Sequence, residues 1–161
     1  KNYKNIISKI FQWQAEITML YPDLPFTGTF VQYRGSLLNW CPIGRSASLE
    51  QRAEWKGWDK DFSIRENYMD EIAKFITEKN MNVTVALGGS TSFDIYPDGW
   101  NKTYGLKHYK DKRMFFVGDR CKPGGNDWHL YEKLKGDDAA WETEGPDHTV
   151  KLIKGIIEKV S

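Results

Sequence analysis

The sequence is poor in the features that commit a chain to a special environment. Its 161 residues hold two cysteines, Cys41 and Cys121. Two make no disulfide framework, so a reducing, cytoplasmic setting is expected. Neither sign of charge dominates: 23 Lys and Arg stand against 22 Asp and Glu. That balance gives no support to general nucleic-acid binding or to binding of an acidic surface. No apolar run approaches the roughly 20 residues of a membrane span. Nor does a signal-peptide core follow Lys1-Asn2-Tyr3-Lys4. Internal repeats and low-complexity segments are lacking. The histidines His108, His129 and His148 have no triad or metal-ligand spacing and read as structural or surface residues. What is present is a globular composition, 40% hydrophobic and 14% aromatic with seven Trp, which excludes disorder. The length suits one domain or two small ones that bury a core without a staple. The first residue is Lys rather than Met, so a piece of a longer polypeptide is expected.

Hydrophobic period organises the chain. Tyr3, Ile6, Ile7, Ile10, Trp13, Ile17 and Leu20 recur at helical spacing up to Pro22 and Pro25. Residues 28–34 and 37–39 read as strands joined by Gly35-Ser36. Ser48-Leu49-Glu50-Gln51 reads as a capping box opening a short helix that is expected to fail near Gly57. A longer amphipathic helix follows, with Ile64, Tyr68, Ile72, Phe75 and Ile76 on one face. Residues 83–87 and 93–96 look like strands around Gly88-Gly89-Ser90, and Pro97-Asp98-Gly99 marks a turn where the chain changes character. Met114-Phe115-Phe116-Val117 fits a strand buried on both faces, as in a parallel sheet, and the period returns to helical from Asp147 to Val160. The expected class is α/β: strands plus helices in the first two-thirds, part of an α/β layer in the last third.

Four places could carry chemistry. Asp119 follows Gly118 at the end of the apolar run, where open α/β sheets put ligands. With the loop Lys122-Pro123-Gly124-Gly125 and Asn126-Asp127 behind it, it suits a hard cation such as Mg²⁺. The same residues also suit a turn cap with loop-shaping glycines. Lys102, near the start of a short helix, could neutralise phosphate as a point charge. Arg34, Arg45 and Arg52 sit in three local settings that could converge on one anion through bidentate forks. Ser92 and Asp94 alternate on one strand and so share a face, a hydroxyl beside a carboxylate suited to sugar hydroxyls or a phosphate ester. Surface arginines on a polar strand face are the plain alternative. Asp59-Lys60-Asp61 is rejected as a carboxylate nucleophile, since it lacks a preceding apolar strand and a following Gly-Thr.

Four long strings carry a resemblance. They are residues 28–34 (Gly-Thr-Phe-Val-Gln-Tyr-Arg), 39–46 (Asn-Trp-Cys-Pro-Ile-Gly-Arg-Ser), 88–102 and 116–127. In order and nearly without gaps they resemble the eukaryotic-type phosphomannomutases of the haloacid-dehalogenase superfamily. The resemblance implies an α+β cap with an antiparallel sheet over residues 1–97, and the C-terminal part of a Rossmannoid core over 98–161. It implies that Arg34, Arg45, Arg52, Ser92 and Asp94 hold mannose phosphate and that Lys102 steadies a phospho-aspartate. Asp119 would bind Mg²⁺, with Asn126 and Asp127 supporting that loop. The implied reaction interconverts mannose 6-phosphate and mannose 1-phosphate for GDP-mannose supply, with a hexose 1,6-bisphosphate as activator and cap-to-cap homodimers. The family's Asp-x-Asp-Gly-Thr, nucleophile and acid/base together, has no match here, so the chain is expected to start near the cap and to need that segment. Residues 131–135 also depart from the acidic loop of a second cation site. A non-catalytic phosphosugar-binding or dimerisation module and a sugar-phosphate phosphatase remain alternatives.

Overall fold

A computed structural model describes residues 2–123 and 125–160, Asn2 by its backbone alone. Lys1, Ser161 and Gly124 of the glycine-rich loop lie outside the described residues. The chain divides into two compact units, Lys1–Asp98 and Gly99–Ser161. No described helix is long and apolar enough to cross a membrane.

The first unit is built from helices α1 (Asn2–Leu20), α2 (Leu49–Phe62) and α3 (Ile64–Glu78) and strands β1 (Val31–Tyr33), β2 (Leu38–Trp40), β3 (Val83–Gly88) and β4 (Ser92–Pro97). The strands form one antiparallel sheet in the order β1-β2-β4-β3. Its register sorts side chains by period two. Val31, Trp40, Phe93 and Leu87 form one row across the sheet, and Gln32, Asn39, Asp94 and Ala86 form the next, on the opposite face. The apolar row meets the helices. Trp40 stacks on Phe93 at 4.8 Å and on Trp13 of α1 at 6.1 Å, and meets Tyr68 of α3 edge-on at 5.8 Å. Ile6, Ile10 and Ile17 of α1 and Ile64, Ile72 and Ile76 of α3 complete this core. Buried Gln14 threads it, accepting from Trp40 Nε1 and donating to the Pro42 carbonyl.

Three local expectations need correction. The first strand is shorter than residues 28–34, because Thr29 has φ 52°, which breaks extended backbone before Val31. The helix opened by Ser48 does not fail at Gly57 but runs to Phe62. Burial of Trp55 and stacking of Trp58 on Phe62 outweigh a helical glycine's cost of about 1 kcal/mol. The capping box itself is present, with Ser48 accepting from Gln51 N–H and Gln51 reaching back.

The second unit has a 3-10 helix over Lys102–His108, strands β5 (Phe116–Gly118) and β6 (Ala140–Glu142), and helices α4 (Trp128–Lys135) and α5 (Pro146–Val160). β5 and β6 pair in parallel. The third correction falls here: Phe116 and Val117 are half-buried rather than buried on both faces, because this sheet has two strands.

Candidate functional site

On the first unit's polar row, Asn39 is the hub. Its side-chain amide donates to Ser92 Oγ at 3.0 Å and to Asp94 Oδ1 at 2.7 Å. Ser92 Oγ in turn donates to the Gly88 carbonyl at 2.6 Å. A side chain at Gly88 would displace this pair, for a Cβ there would lie 2.8 Å from Ser92 Oγ and 2.9 Å from the Asp94 carboxyl. Asn39 Oδ1 is buried with no partner among the described residues. Leaving such an acceptor unpaired costs about 1–3 kcal/mol.

The arginines join this row through the loop after β2. Cys41 Sγ contacts Gly44 O at 3.4 Å and Thr91 Oγ1 at 3.6 Å, tying the residue before Arg45 to the residue before Ser92. Arg45 N–H bonds Gly28 O at 3.1 Å, and among the described residues its half-buried guanidinium has no partner. Arg52, in the first turn and a half of α2, donates from Nε to Ala47 O and from Nη2 to Arg45 O, both at 2.9 Å. Arg52 therefore braces the loop that presents Arg45. Arg34 stands apart: exposed beyond the end of β1, its Nε donates to Gln32 Oε1 at 3.0 Å. Arg45, Arg52, Ser92 and Asp94 are thus linked by contacts, whereas Arg34 shares only the face.

The turn between β3 and β4 is held from behind. Arg65 Nη1 donates to Gly89 O at 3.1 Å and Trp55 Nε1 to Ser90 O at 3.2 Å. Asp59 fixes Arg65, taking its Nε at 2.6 Å and its backbone N–H at 2.7 Å. Asp59 thus braces the turn through Arg65.

In the second unit Asp127 is the hub. Its carboxylate pairs with Lys102 and accepts the backbone N–H groups of Asp119 and Arg120, each at 3.1 Å. Burial pushes the Asp127 carboxyl up, but the Lys102 ammonium and those two N–H groups outweigh it and hold the carboxyl below its ordinary range. Gly118 makes room, since a Cβ there would lie 2.8 Å from Asp127 Oδ2. Burial also raises the Cys121 thiol, the nearby acids adding to it, so the thiolate form is disfavoured there. The Asp119 side chain is exposed and lines a pocket with Arg120, Lys122, Pro123, Gly125 and Glu142. Asn126 is exposed.

Among the described residues no three His, Cys, Asp or Glu groups gather to hold a metal ion. The donors therefore do not fit an all-protein cage. They do fit Mg²⁺, which keeps several waters and binds through one or two carboxylates plus phosphate oxygens. Asp119 offers such a carboxylate, with no side-chain partner among the described residues, while Asp127 is consumed by Lys102 and the two N–H groups.

Sequence reasoning missed Asn39, Gly88 and the Asp59–Arg65 brace. Signals for the first two existed: a polar residue inside the apolar string Leu37-Leu38-Asn39-Trp40, and a glycine two residues beyond the row that carries Asp94. The brace has none, since it depends on the turn between α2 and α3.

The eukaryotic phosphomannomutase family profile matches residues 1–159. Among curated relatives, a phosphomannomutase of Drosophila melanogaster is 35% identical over 96% of this chain and 59% of its own length. One from Saccharomyces cerevisiae is 36% identical over 95% and 58%, and one from Arabidopsis thaliana 38% over 83% and 54%. The chain spans between half and three-fifths of these relatives' lengths. A structure of Aspergillus fumigatus trehalose-6-phosphate phosphatase aligns with TM-score 0.36 and 15% identity over 88% of this chain and 48% of its own. With the profile running over nearly every residue, the chain belongs to the eukaryotic phosphomannomutase family.

Proposed function

We propose that this chain is the sugar-gripping and metal-holding part of a phosphomannomutase, which interconverts mannose 6-phosphate and mannose 1-phosphate by way of a hexose bisphosphate. Residues 1–97 act as the cap and 98–161 as the C-terminal part of the core. One observation carries the reading: the Cys41–Thr91 contact sets the Arg45 and Arg52 loop beside the Ser92 and Asp94 row. A half-buried guanidinium with no partner among the described residues, on a loop tied to the start of the strand that carries a hydroxyl and a carboxylate, meets the needs of a phosphosugar. The cation takes the phosphate and the oxygens take the ring hydroxyls.

Each residue has a stated task. Arg45 neutralises a phosphate oxygen, and Arg52 holds its loop while lending a remaining N–H. Ser92 and Asp94 orient the ring. Lys102 offsets charge at the transferring phosphoryl group, and Asp119 holds Mg²⁺ on the loop that Asp127 and Asn126 shape. Mg²⁺, when bound, supplies further neutralisation of that group, since phosphoryl transfer is mostly positioning and electrostatics. No Asp-x-Asp-Gly-Thr occurs in the sequence, so the phosphoryl-accepting carboxylate comes from polypeptide carrying that string. Cytoplasmic location, activation by hexose 1,6-bisphosphate and homodimers through the cap belong to the same proposal.

Calorimetric titration with α-mannose 1-phosphate tests it. Saturable one-to-one binding to the chain, lost in Arg45→Ala, is expected. Binding that ignores Arg45→Ala rejects the assignment of the grip. Supplying the Asp-x-Asp-Gly-Thr segment should yield Mg²⁺-dependent mutase turnover that Asp119→Ala abolishes; undiminished turnover in that variant removes Asp119 as the metal ligand.

A further inference from the structure

We propose that Asn39 is a positioning residue that aims Asp94 at a sugar hydroxyl and so contributes to recognition of the sugar rather than of its phosphate. The proposal rests on the phosphosugar reading above.

Asn39 lies in the middle strand pair of the sheet, opposite Asp94, and is 1% exposed. A buried amide must place both a donor and an acceptor. Here the donor is fully used, on Asp94 Oδ1 at 2.7 Å and Ser92 Oγ at 3.0 Å, and Oδ1 is left without a partner among the described residues. The opposite amide orientation would set oxygen against the Asp94 carboxylate, so the carboxylate dictates which way the amide lies. An apolar side chain at this position would remove that orphan but would take the donor from Asp94 Oδ1 and Ser92 Oγ. Retaining Asn at that cost makes sense through what its NH₂ does.

Its effect falls on Asp94. The carboxylate torsion of an aspartate is broad, so an untethered Asp94 would sweep its oxygens over a wide arc. The bond from Asn39 to Oδ1 fixes the carboxylate plane and hence the direction of Oδ2, which has no partner among the described residues. The same amide orients Ser92: by donating to Oγ it turns the hydroxyl proton toward Gly88 O. One buried amide thus presets both groups that would face the ring, and a preset acceptor binds with less ordering cost.

The test is calorimetry on the whole chain with two probes, α-mannose 1-phosphate and inorganic phosphate. Asn39→Leu and Asn39→Ala both remove the donor without adding a charge, so either one answers if the other fails to fold. Each should weaken mannose 1-phosphate binding about tenfold, the worth of one hydrogen bond to a charged group, and leave phosphate affinity unchanged. In an Asp94→Asn background the same changes should add less than about twofold, because the two residues act as a unit. Equal losses for both probes, or losses that multiply in the double variants, would overturn the proposal. A parent chain that binds both probes equally well overturns it too, while the phosphate grip stands. A parent chain that binds neither overturns the proposed function itself, and this inference with it.

Discussion

The ammonium of Lys102 is paired with the carboxylate of Asp127, and the two sit at opposite extremes of exposure: the Lys102 side chain is 45% exposed, that of Asp127 3%. The pair is therefore a buried anchor with a solvated arm. The arm is the proposed phosphoryl-group cation and the anchor closes the loop carrying Asp119 through two N–H bonds.

Acid should open that loop. The folded-state pKa of Asp127 is depressed, so its contribution to stability is present above the unfolded aspartate value of about 3.9 and is lost as pH falls through the lower folded value. Denaturation curves between about pH 6 and about pH 2 should show an acid limb, because protonation removes the Lys102 pair and two acceptors together. Asp127→Asn should flatten that limb. Asp127→Ala should cost about 2–4 kcal/mol at neutral pH, since two backbone donors lose their partner. An unchanged acid limb in Asp127→Asn would show that other carboxylates carry it.

Arg45 and Arg52 should differ in what lysine can replace. The Arg45 guanidinium has no partner among the described residues, so Arg45→Lys keeps the charge and should retain part of the mannose 1-phosphate affinity. Arg45→Ala should lose about 10- to 100-fold. Arg52 spends Nε and Nη2 on two carbonyls, Ala47 O and Arg45 O, which a single ammonium cannot span. Arg52→Lys should therefore be nearly as weak as Arg52→Ala in titration calorimetry. Full affinity in Arg52→Lys would mean the brace to the loop is dispensable.

How far the sequence reaches is clearest at single residues. Ser48 and Gln51 were legible because a capping box is local chemistry within four residues. The Ser92 and Asp94 pair was legible because a strand's period is local too. The helix crossing Gly57 was not, since Trp55 and Trp58 decide it through partners elsewhere in the chain. β6 escaped notice because Ala140–Glu142 is three residues long and is defined only by pairing with β5. Asn39 escaped for the same reason: its meaning lies in a strand 55 residues away.

The brace behind the β3–β4 turn allows an unequal-partner experiment. Removing Arg65 loses one ion pair and the bond to Gly89 O, whereas removing Asp59 loses the ion pair and the acceptor of the Arg65 N–H at the start of α3. An N-terminal helix acceptor is worth about 1 kcal/mol, and the bond from the charged guanidinium to Gly89 O at least as much, so in urea denaturation Arg65→Ala should cost no less than Asp59→Ala. A smaller cost in Arg65→Ala would mean that water replaces the guanidinium at Gly89 O.

Strain beside the grip yields the last expectation. Thr29 is β-branched yet has φ 52°, a conformation that costs an L-residue about 1–2 kcal/mol. It is held there because its neighbour Gly28 and its own carbonyl receive the Arg45 N–H, at 3.1 Å and 3.3 Å. The strain belongs to the side chain, and the useful bonds belong to the backbone. Thr29→Asn, which tolerates positive φ, should therefore raise stability by about 0.5–1 kcal/mol and leave mannose 1-phosphate affinity as it was. Thermal melts and calorimetry on the same preparation check both halves. A stability gain accompanied by loss of affinity would show instead that the strained threonine itself sets the Arg45 loop, in the manner of strain stored at a working site.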